Sequence, residues 1–402
     1  MNDKLFFVDR STGIRKTYAE FVLDVNAVRS VPNINAADDE YTLLTTLVAS
    51  LWSNQDISLT QDSSANAEPI ASALIPVQPN LRQSELWNRI ATSKSKIGLF
   101  TSGTTGRAKF IQHRMDSLIR SIRNTPHHQG DVWGLTYHPA SFAGLQVVLQ
   151  AICNSNPLFR LAGLDSALVH DEIQSMGITH ISATPTWLRL ICSDNIVHDG
   201  VTHITTGGEI VDRSLIDQAY ARFPSAIFRN IYASTESGSV LLSDGDLFRV
   251  PANLADKVKV EDGILAIHRT LLAESMQSHD ASEFYVTGDF VDVLTENPLT
   301  FLFTARRNDW INVGGNKVNS HEIERLLVAI DGVADARVFG RKSSVTGSIV
   351  CCEIVRSAGL SITQVDIRQA IEKQVESFMV PRFIGFVDAI DNTPTGKKDR
   401  SE

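Results

Sequence analysis

The sequence predicts an α/β protein. A large N-terminal domain of βα layers, containing a small β-rich subdomain, precedes a small mobile α+β C-terminal domain. Three observations carry this. Between residues 130 and 240, short apolar runs alternate with helical segments, the pattern of parallel strands covered by helices. From about 245 to 303 helical periodicity fades and short strand-like runs remain. At Arg306-Arg307-Asn308-Asp309 a polar junction separates this stretch from a further set of strands and helices. The expected domains are therefore 1–304, with the β-rich part at about 245–304, and 305–402.

Composition sets the outer limits. A chain of 402 residues, 43% hydrophobic and 21% charged, is long enough for two or three domains with real cores. Asp plus Glu exceed Lys plus Arg by 46 to 37, a net charge of −9, which argues against a nucleic-acid groove. Cys153, Cys192, Cys351 and Cys352 show no C-x-x-C spacing, so neither a disulfide frame nor a zinc site is expected from them. No apolar run approaches membrane-spanning length, and the first residues lack a signal-peptide core. A cytoplasmic setting without membrane contact is the expectation.

Taken in order, Leu5 to Val8 reads as a strand and Tyr18 to Val28 as a helix. Tyr41 to Leu51 reads as a helix and Ile57 to Leu59 as a strand. Gln61 to Glu68 is a polar loop, and a short helix follows near Glu85 to Thr92. Ile97 to Phe100 is a buried strand, and Met115 to Arg123 a helix. Next come Val132–Tyr137 (strand), Phe142–Cys153 (helix), Asp165–Met176 (helix), Thr179–Ala183 (strand) and Thr186–Cys192 (helix). His203–Thr206 is a strand, Asp212 caps a helix running to Phe223, and Ile227–Tyr232 is a strand. Gly263–His268 and Phe284–Val286 are strands, and Thr287-Gly288-Asp289 a turn with a fixed carboxylate. In the last domain Asn319 is a helix N-cap before Ile323–Val328. Val333–Phe339 and Ser348–Val355 are strands, Ile362–Glu376 a helix and Phe383–Val387 a strand. The tail through Lys397 and Lys398 is polar.

The stretch Thr101-Ser102-Gly103-Thr104-Thr105-Gly106-Arg107-Ala108-Lys109 directly follows an apolar strand. Its glycines permit sharp turns and close ligand approach. Its hydroxyls, free N–H groups and Lys109 suit phosphate oxygens. The spacing is not that of a Walker loop. Two more Ser/Thr/Gly-rich stretches, 205–208 and 233–239, fall at strand ends, where α/β proteins bind ligands. The three are expected to converge.

These motifs together resemble the adenylate-forming superfamily of acyl-CoA and aryl-CoA synthetases, adenylation domains and luciferases. Thr101–Lys109 resembles its phosphate loop, Gly207-Gly208-Glu209 its nucleobase-side loop and Ile231–Glu236 its Tyr-Gly-x-Thr-Glu stretch. Thr287-Gly288-Asp289 resembles its ribose-binding Thr-Gly-Asp, Ala305–Glu324 its hinge, and Thr395-Gly396-Lys397 its terminal Gly-Lys. The sequence departs from the pattern at Ala108, Ala233 and Ala305, and at Asn308, where the hinge residue is usually charged. The region before the phosphate loop also looks shorter than usual.

The resemblance implies ATP-dependent activation of a small carboxylic acid as acyl-AMP with release of pyrophosphate. The acyl group then passes to a thiol, either coenzyme A or the phosphopantetheine of a free-standing acyl carrier protein. The alternatives are a catalytically silent nucleotide-binding scaffold of the same fold and direct phosphoryl transfer. By resemblance, Lys397, Glu236 and Thr104 are catalytic, and Glu236 also holds Mg²⁺. Thr101 to Gly106, Lys109, Gly208, Glu209, Tyr232, Thr235, Asp289 and Arg306 bind ATP, with Tyr232 either stacked on adenine or packed in the core. His138, Ser141, Phe142, Gly144, Thr206, Gly207, Ala233 and Ser234 line the acid pocket. Gly315 and Lys317 border the thiol tunnel, and the small domain rotates between half-reactions.

Overall fold

The structure, a computed structural model, describes residues 4–32, 34–35, 39–61, 69–70, 74–77, 83–101, 109–277, 282–306, 309–343, 347–357 and 359–390. Its chain divides into two compact units. The larger holds residues 1–259, 266–285 and 295–300, and the smaller 260–265, 286–294 and 301–402.

The larger unit is built on an eight-stranded sheet. In spatial order its strands are Gly238–Ser243, Ile227–Ser234, His203–Gly207, His180–Ala183, Trp133–Leu135, Leu158–Arg160, Leu5–Asp9 and Ile14–Thr17. The six inner strands run parallel, and the two edge strands are antiparallel to their neighbours. The helices of the βα units start where the sequence places polar caps. Ser141 Oγ accepts from Gly144 N (3.0 Å), Asp165 from Leu168 N (2.8 Å), Thr184 Oγ1 from Trp187 N (3.1 Å) and Asp212 from Leu215 N (2.9 Å). Each such cap is worth about 1 kcal/mol. Helix faces then bury against the strands: Ile173, Leu188 and Leu215 pack with Ile181, Ile204 and Phe228 in one cluster. Leu145 and Ile152 pack with Phe6, Phe21 and Leu47 in the other.

Trp133–Leu135 lies between the next strand in sequence, Leu158–Arg160, on one side and His180–Ala183 on the other. The strand order reverses here, and the crevice beyond such a strand end is the usual ligand site of an open α/β sheet. Residues 136–144 follow directly. Leu158–Arg160 is absent from the sequence-level expectation because three residues behind Pro157 carry too little alternation to read.

A second sheet of the larger unit has the order Ile34–Asn35, Ile57–Leu59, Lys96–Thr101, Lys109–Arg114. The last two strands form an antiparallel hairpin that pairs Thr101 with Lys109.

Two expectations need correction. The helix expected over Met115–Arg123 stops at Leu118. Side-chain amides of helix Phe142–Asn154 capture the backbone beyond it: Gln146 Nε2 donates to Leu118 O, Arg123 N donates to Gln150 Oε1, and Asn154 Nδ2 donates to Arg123 O. These bonds replace the i→i+4 ladder. Likewise Thr287-Gly288-Asp289 is no turn. It sits inside the long strand Phe284–Glu296, where Gly288 takes φ +84°.

In the smaller unit, the hairpin Trp310–Val313/Asn316–Asn319 and the long antiparallel pair Val333–Ser343/Gly347–Arg356 form a sheet, with Phe383–Phe386 added parallel. Helices Ser320–Val328 and Gln364–Glu372 cover it through Ile323, Leu327, Ile367 and Ile371.

Candidate functional site

Gly207-Gly208 and the 233–239 stretch lie at the ends of adjacent parallel strands, with Gly207 opposite Ile231. Gly207 is a packing requirement: a Cβ there would stand 2.6 Å from Ile231 O. Gly208 then takes φ +86°. Thr235-Glu236-Ser237 is the three-residue turn joining Ile227–Ser234 to Gly238–Ser243. Ser234 Oγ accepts from Ser237 N (3.1 Å), and Gly238 closes the turn at φ +68°. Glu236 is therefore presented by a hairpin turn and not by a helix start. Its backbone carbonyl is fixed by Ala273 N at 2.7 Å. Among the described residues no hydrogen bond or ion pair engages its half-buried carboxylate.

The third stretch belongs to the other sheet. Thr101 ends one strand of the hairpin and the exposed Lys109 begins the next, while Ser102, Gly103, Thr104, Thr105 and Gly106 lie outside the described residues. What brings this hairpin to the Glu236 turn is His113, 1% exposed, whose Nε2–H donates to Thr235 O at 2.7 Å. Its ring lies 5.7 Å from that of Phe142. Burial pushes the His113 imidazole down to about 4, so it stays a neutral donor. A second brace comes from residues 271–275. Lys96 pairs with Glu274 (3.1 Å), Gln112 N donates to Ser275 Oγ (3.0 Å), and Ala273 N holds Glu236 O. Sequence reasoning missed both. For His113 a signal existed: along Lys109–Arg114 it occupies the inward face with Ile111.

The acid-pocket candidates fall in two groups: His138, Ser141, Phe142 and Gly144 follow the strand at the sheet's switch point, and Thr206, Gly207, Ala233 and Ser234 end the strands His203–Gly207 and Ile227–Ser234. His138 O accepts from Ser141 N (2.9 Å) and Ser141 Oγ (2.8 Å), and His138 Nδ1 accepts from Ala140 N (3.1 Å). A Cβ on Gly144 would stand 2.2 Å from His138 O, so only glycine lets the helix start this close. Burial, with Arg160 adding repulsion, pushes His138 down to about 4. Phe142, at the first turn of that helix, lies against both His113 and Gly238. Thr206 is 1% exposed and its hydroxyl has no hydrogen-bond partner among the described residues. Ala233 packs on the core edge, and Tyr232 is buried at 6% exposure. Glu209 is occupied structurally, since its carboxylate accepts from Thr186 N (3.0 Å) at the start of helix Pro185–Ser193.

In the smaller unit Asp289 is 7% exposed and pairs with Arg306 at 2.8 Å. Thr287 Oγ1 donates to Leu265 O (2.8 Å) and accepts from Asp289 N (3.1 Å), which fixes the kink around Gly288. Gly314 and Gly315, at φ +60° and +92°, form the two-residue turn of a hairpin, the type I′ geometry that favours glycine at both places. Gly315 N donates to Asn312 Oδ1 (3.0 Å), and Lys317 is exposed on the returning strand. Asn308 and Lys397 lie outside the described residues.

Comparison with known proteins follows the same division. Residues 14–261 match the family model of AMP-binding enzymes, and residues 322–397 that of the AMP-binding enzyme C-terminal domain. The chain is 22% identical over 330 residues to the 2-succinylbenzoate–CoA ligase of Staphylococcus epidermidis, covering 76% of this chain and 68% of that protein. It is 25% identical over 351 residues to the 4-coumarate–CoA ligase of Pinus taeda, covering 74% of this chain and 63% of that one. In fold it is similar to the o-succinylbenzoate CoA synthetase of Bacillus subtilis solved with its acyl-adenylate intermediate: TM-score 0.70, 16% identity, 99% of this chain and 94% of that one. No helix among the described residues is long and apolar enough to cross a membrane.

Proposed function

This chain belongs to the AMP-binding enzyme family, and from that premise we propose that it activates a small carboxylic acid with ATP and passes the acyl group to a thiol. In the first step a carboxylate oxygen attacks the α-phosphorus, the α–β anhydride bond breaks, and pyrophosphate leaves. In the second a thiolate attacks the acyl carbon and AMP leaves. The acceptor thiol is that of coenzyme A, the cosubstrate in the relatives' names, with a carrier-protein phosphopantetheine as the competing acceptor.

One observation supports this reading above the rest. The His113–Thr235 hydrogen bond joins the hairpin behind the phosphate-type loop to the turn that presents Glu236. A polyphosphate held by residues 101–106 and Lys109 then meets a carboxylate. Glu236, half-buried and unengaged among the described residues, suits a hard divalent cation. When bound there, Mg²⁺ neutralises phosphate charge. Asp289, held by Arg306, is assigned the ribose hydroxyls, and the 138–144 turn with Thr206 and Ala233 the acid. Gly208, at φ +86° just past the strand end, is assigned the nucleobase side, and Gly207, closed against Ile231, positions it. Lys397 is assigned the charge that develops between carboxylate and α-phosphate.

The test is acid-dependent exchange of pyrophosphate into ATP across a panel of aryl, short-chain and medium-chain acids, followed by addition of coenzyme A or a carrier protein. Exchange with a few acids establishes adenylation and names the acid class. ATP binding without exchange for any acid points to the silent scaffold. Replacing Lys397 by Ala should lower exchange by roughly 10²-fold or more while thioester formation from pre-made acyl-AMP survives. An equal fall in both steps removes that role.

A further inference from the structure

The strands that carry Gly207 at one end carry histidines at the other. His180 opens strand His180–Ala183 and His203 opens the neighbouring strand, in register with each other. The His180 ring is clamped on both sides, stacked on His203 at 4.3 Å and lying 4.9 Å from Trp133. Its Nδ1 sits 2.8 Å from Thr179 Oγ1. That hydroxyl accepts from Val132 N (2.9 Å). It has one hydrogen and two acceptors within reach, Val132 O at 3.3 Å and His180 Nδ1 at 2.8 Å, so a lone pair on Nε2 belongs to the tautomer in which Nδ1 is the donor.

His180 Nε2 faces a buried carboxylate. His180 Nε2 is buried without a hydrogen-bond partner, although Asp131 Oδ2 is only 3.4 Å away. Asp131 and His180 are 6% and 5% exposed. In the tautomer with Nδ1 as donor, Nε2 and the Asp131 carboxylate are two acceptors facing each other under cover, a repulsion that a cation between them relieves. A third ligand atom is at hand. His128 Nδ1 lies 2.8 Å from the same carboxylate oxygen, and all three atoms fall within 4.8 Å of one another. His128 ends a short turn, Pro126–His128, whose last carbonyl is pinned by Asn156 Nδ2 (2.9 Å).

We propose that His128, Asp131 and His180 form a binding site for one divalent transition-metal ion, with Zn²⁺ as the matching class. Two imidazoles and a carboxylate are a zinc ligand set, and two nitrogen ligands disfavour Mg²⁺ and Ca²⁺. A tetrahedral ion with bonds of about 2.1 Å has ligand atoms about 3.4 Å apart, the spacing of Asp131 Oδ2 and His180 Nε2, while His128 Nδ1, 2.8 Å from the same oxygen, is at hydrogen-bond distance and moves outward to take the metal. The Thr179 hydroxyl supplies the outer hydrogen bond that metal-bound imidazoles usually have. The half-exposed edge at His128 leaves the fourth position to water. The site stands one strand length, about 13 Å, from the catalytic strand ends. Its work is to pin the 126–131 connection to the sheet.

The experiment uses the full chain without an affinity tag, stripped of metal by a chelator. Zn²⁺ titrated against a chromophoric competitor should bind at one ion per chain and raise the thermal midpoint. Co²⁺ should give the visible absorption of a tetrahedral nitrogen–oxygen site. His128→Ala should lower Zn²⁺ affinity at least tenfold and abolish the metal-induced rise in thermal midpoint, each read against that variant's own metal-free midpoint. A second buried pair, His170 and His198 with Asp194, serves as control. Asp194→Asn should leave binding intact. Absence of stoichiometric binding overturns the proposal, as does binding that survives His128→Ala or is lost only in Asp194→Asn.

Discussion

The two ends of the parallel strands His180–Ala183 and His203–Gly207 share one ladder of backbone hydrogen bonds and differ in everything else. At the carboxyl ends side chains shrink to glycine and hydroxyls, the backbone of Gly207 lies close against Ile231, and Glu236 stands unengaged among the described residues. At the amino ends imidazoles stack over a buried aspartate. One end withholds bulk, which lets Ile231 O lie against Gly207 and, on the proposed function, lets a ligand approach beyond it. The other spends bulk on closure. Stability and chemistry are thus separable along a strand four or five residues long.

The largest expected effect lies at the open end. Glu236→Gln keeps shape and removes charge, and should lower the exchange rate by roughly 10²-fold with the thermal midpoint unchanged. Loss of folding along with activity would make Glu236 a structural residue instead. Next comes Gly207→Ala, whose Cβ would press on Ile231 O and should cost about 3 kcal/mol, read as a fall in thermal midpoint. A neutral outcome would mean the two strands part easily there.

Acid should act with comparable force. His113 and His138 have folded values near 4, below the ordinary 6.5, so they are neutral when folded and titrate first in the unfolded chain. Their burial costs nothing above pH 6.5. Stability should fall as pH drops from 6.5 towards 4, by up to about 3 kcal/mol per histidine. The thermal midpoint followed across that window checks it, and a flat profile would mean water reaches both rings. The smallest effect is expected from His113→Leu, which leaves the Thr235 carbonyl unpaired. It should cost about 1–3 kcal/mol and weaken ATP binding more than acid binding. Equal loss of both affinities would make the contact a general brace.

What was legible in the sequence was local. Asp212 and Asn319 announce helix starts because a short polar side chain satisfies the free N–H groups next to it, and the structure adds Ser141 and Asp165 as caps of the same kind. Gly315, read by resemblance as bordering the thiol tunnel, sits with Gly314 in a tight turn in which both residues take positive φ. Alternating βα segments fix a parallel sheet, and the family motifs follow in order along the chain. Tertiary structure alone decided the rest. His113 meets Thr235 across 122 residues, and the Glu209 carboxylate serves the start of another helix. Gln146 and Gln150 end the helix at Leu118 by taking over the backbone beyond it. Each depends on which elements lie side by side after long loops close, and neighbouring residues carry no trace of that. The His128–Asp131–His180 cluster is the same case. Its members are ordinary in sequence, and only the register of three strands and one turn brings two imidazoles against a buried carboxylate.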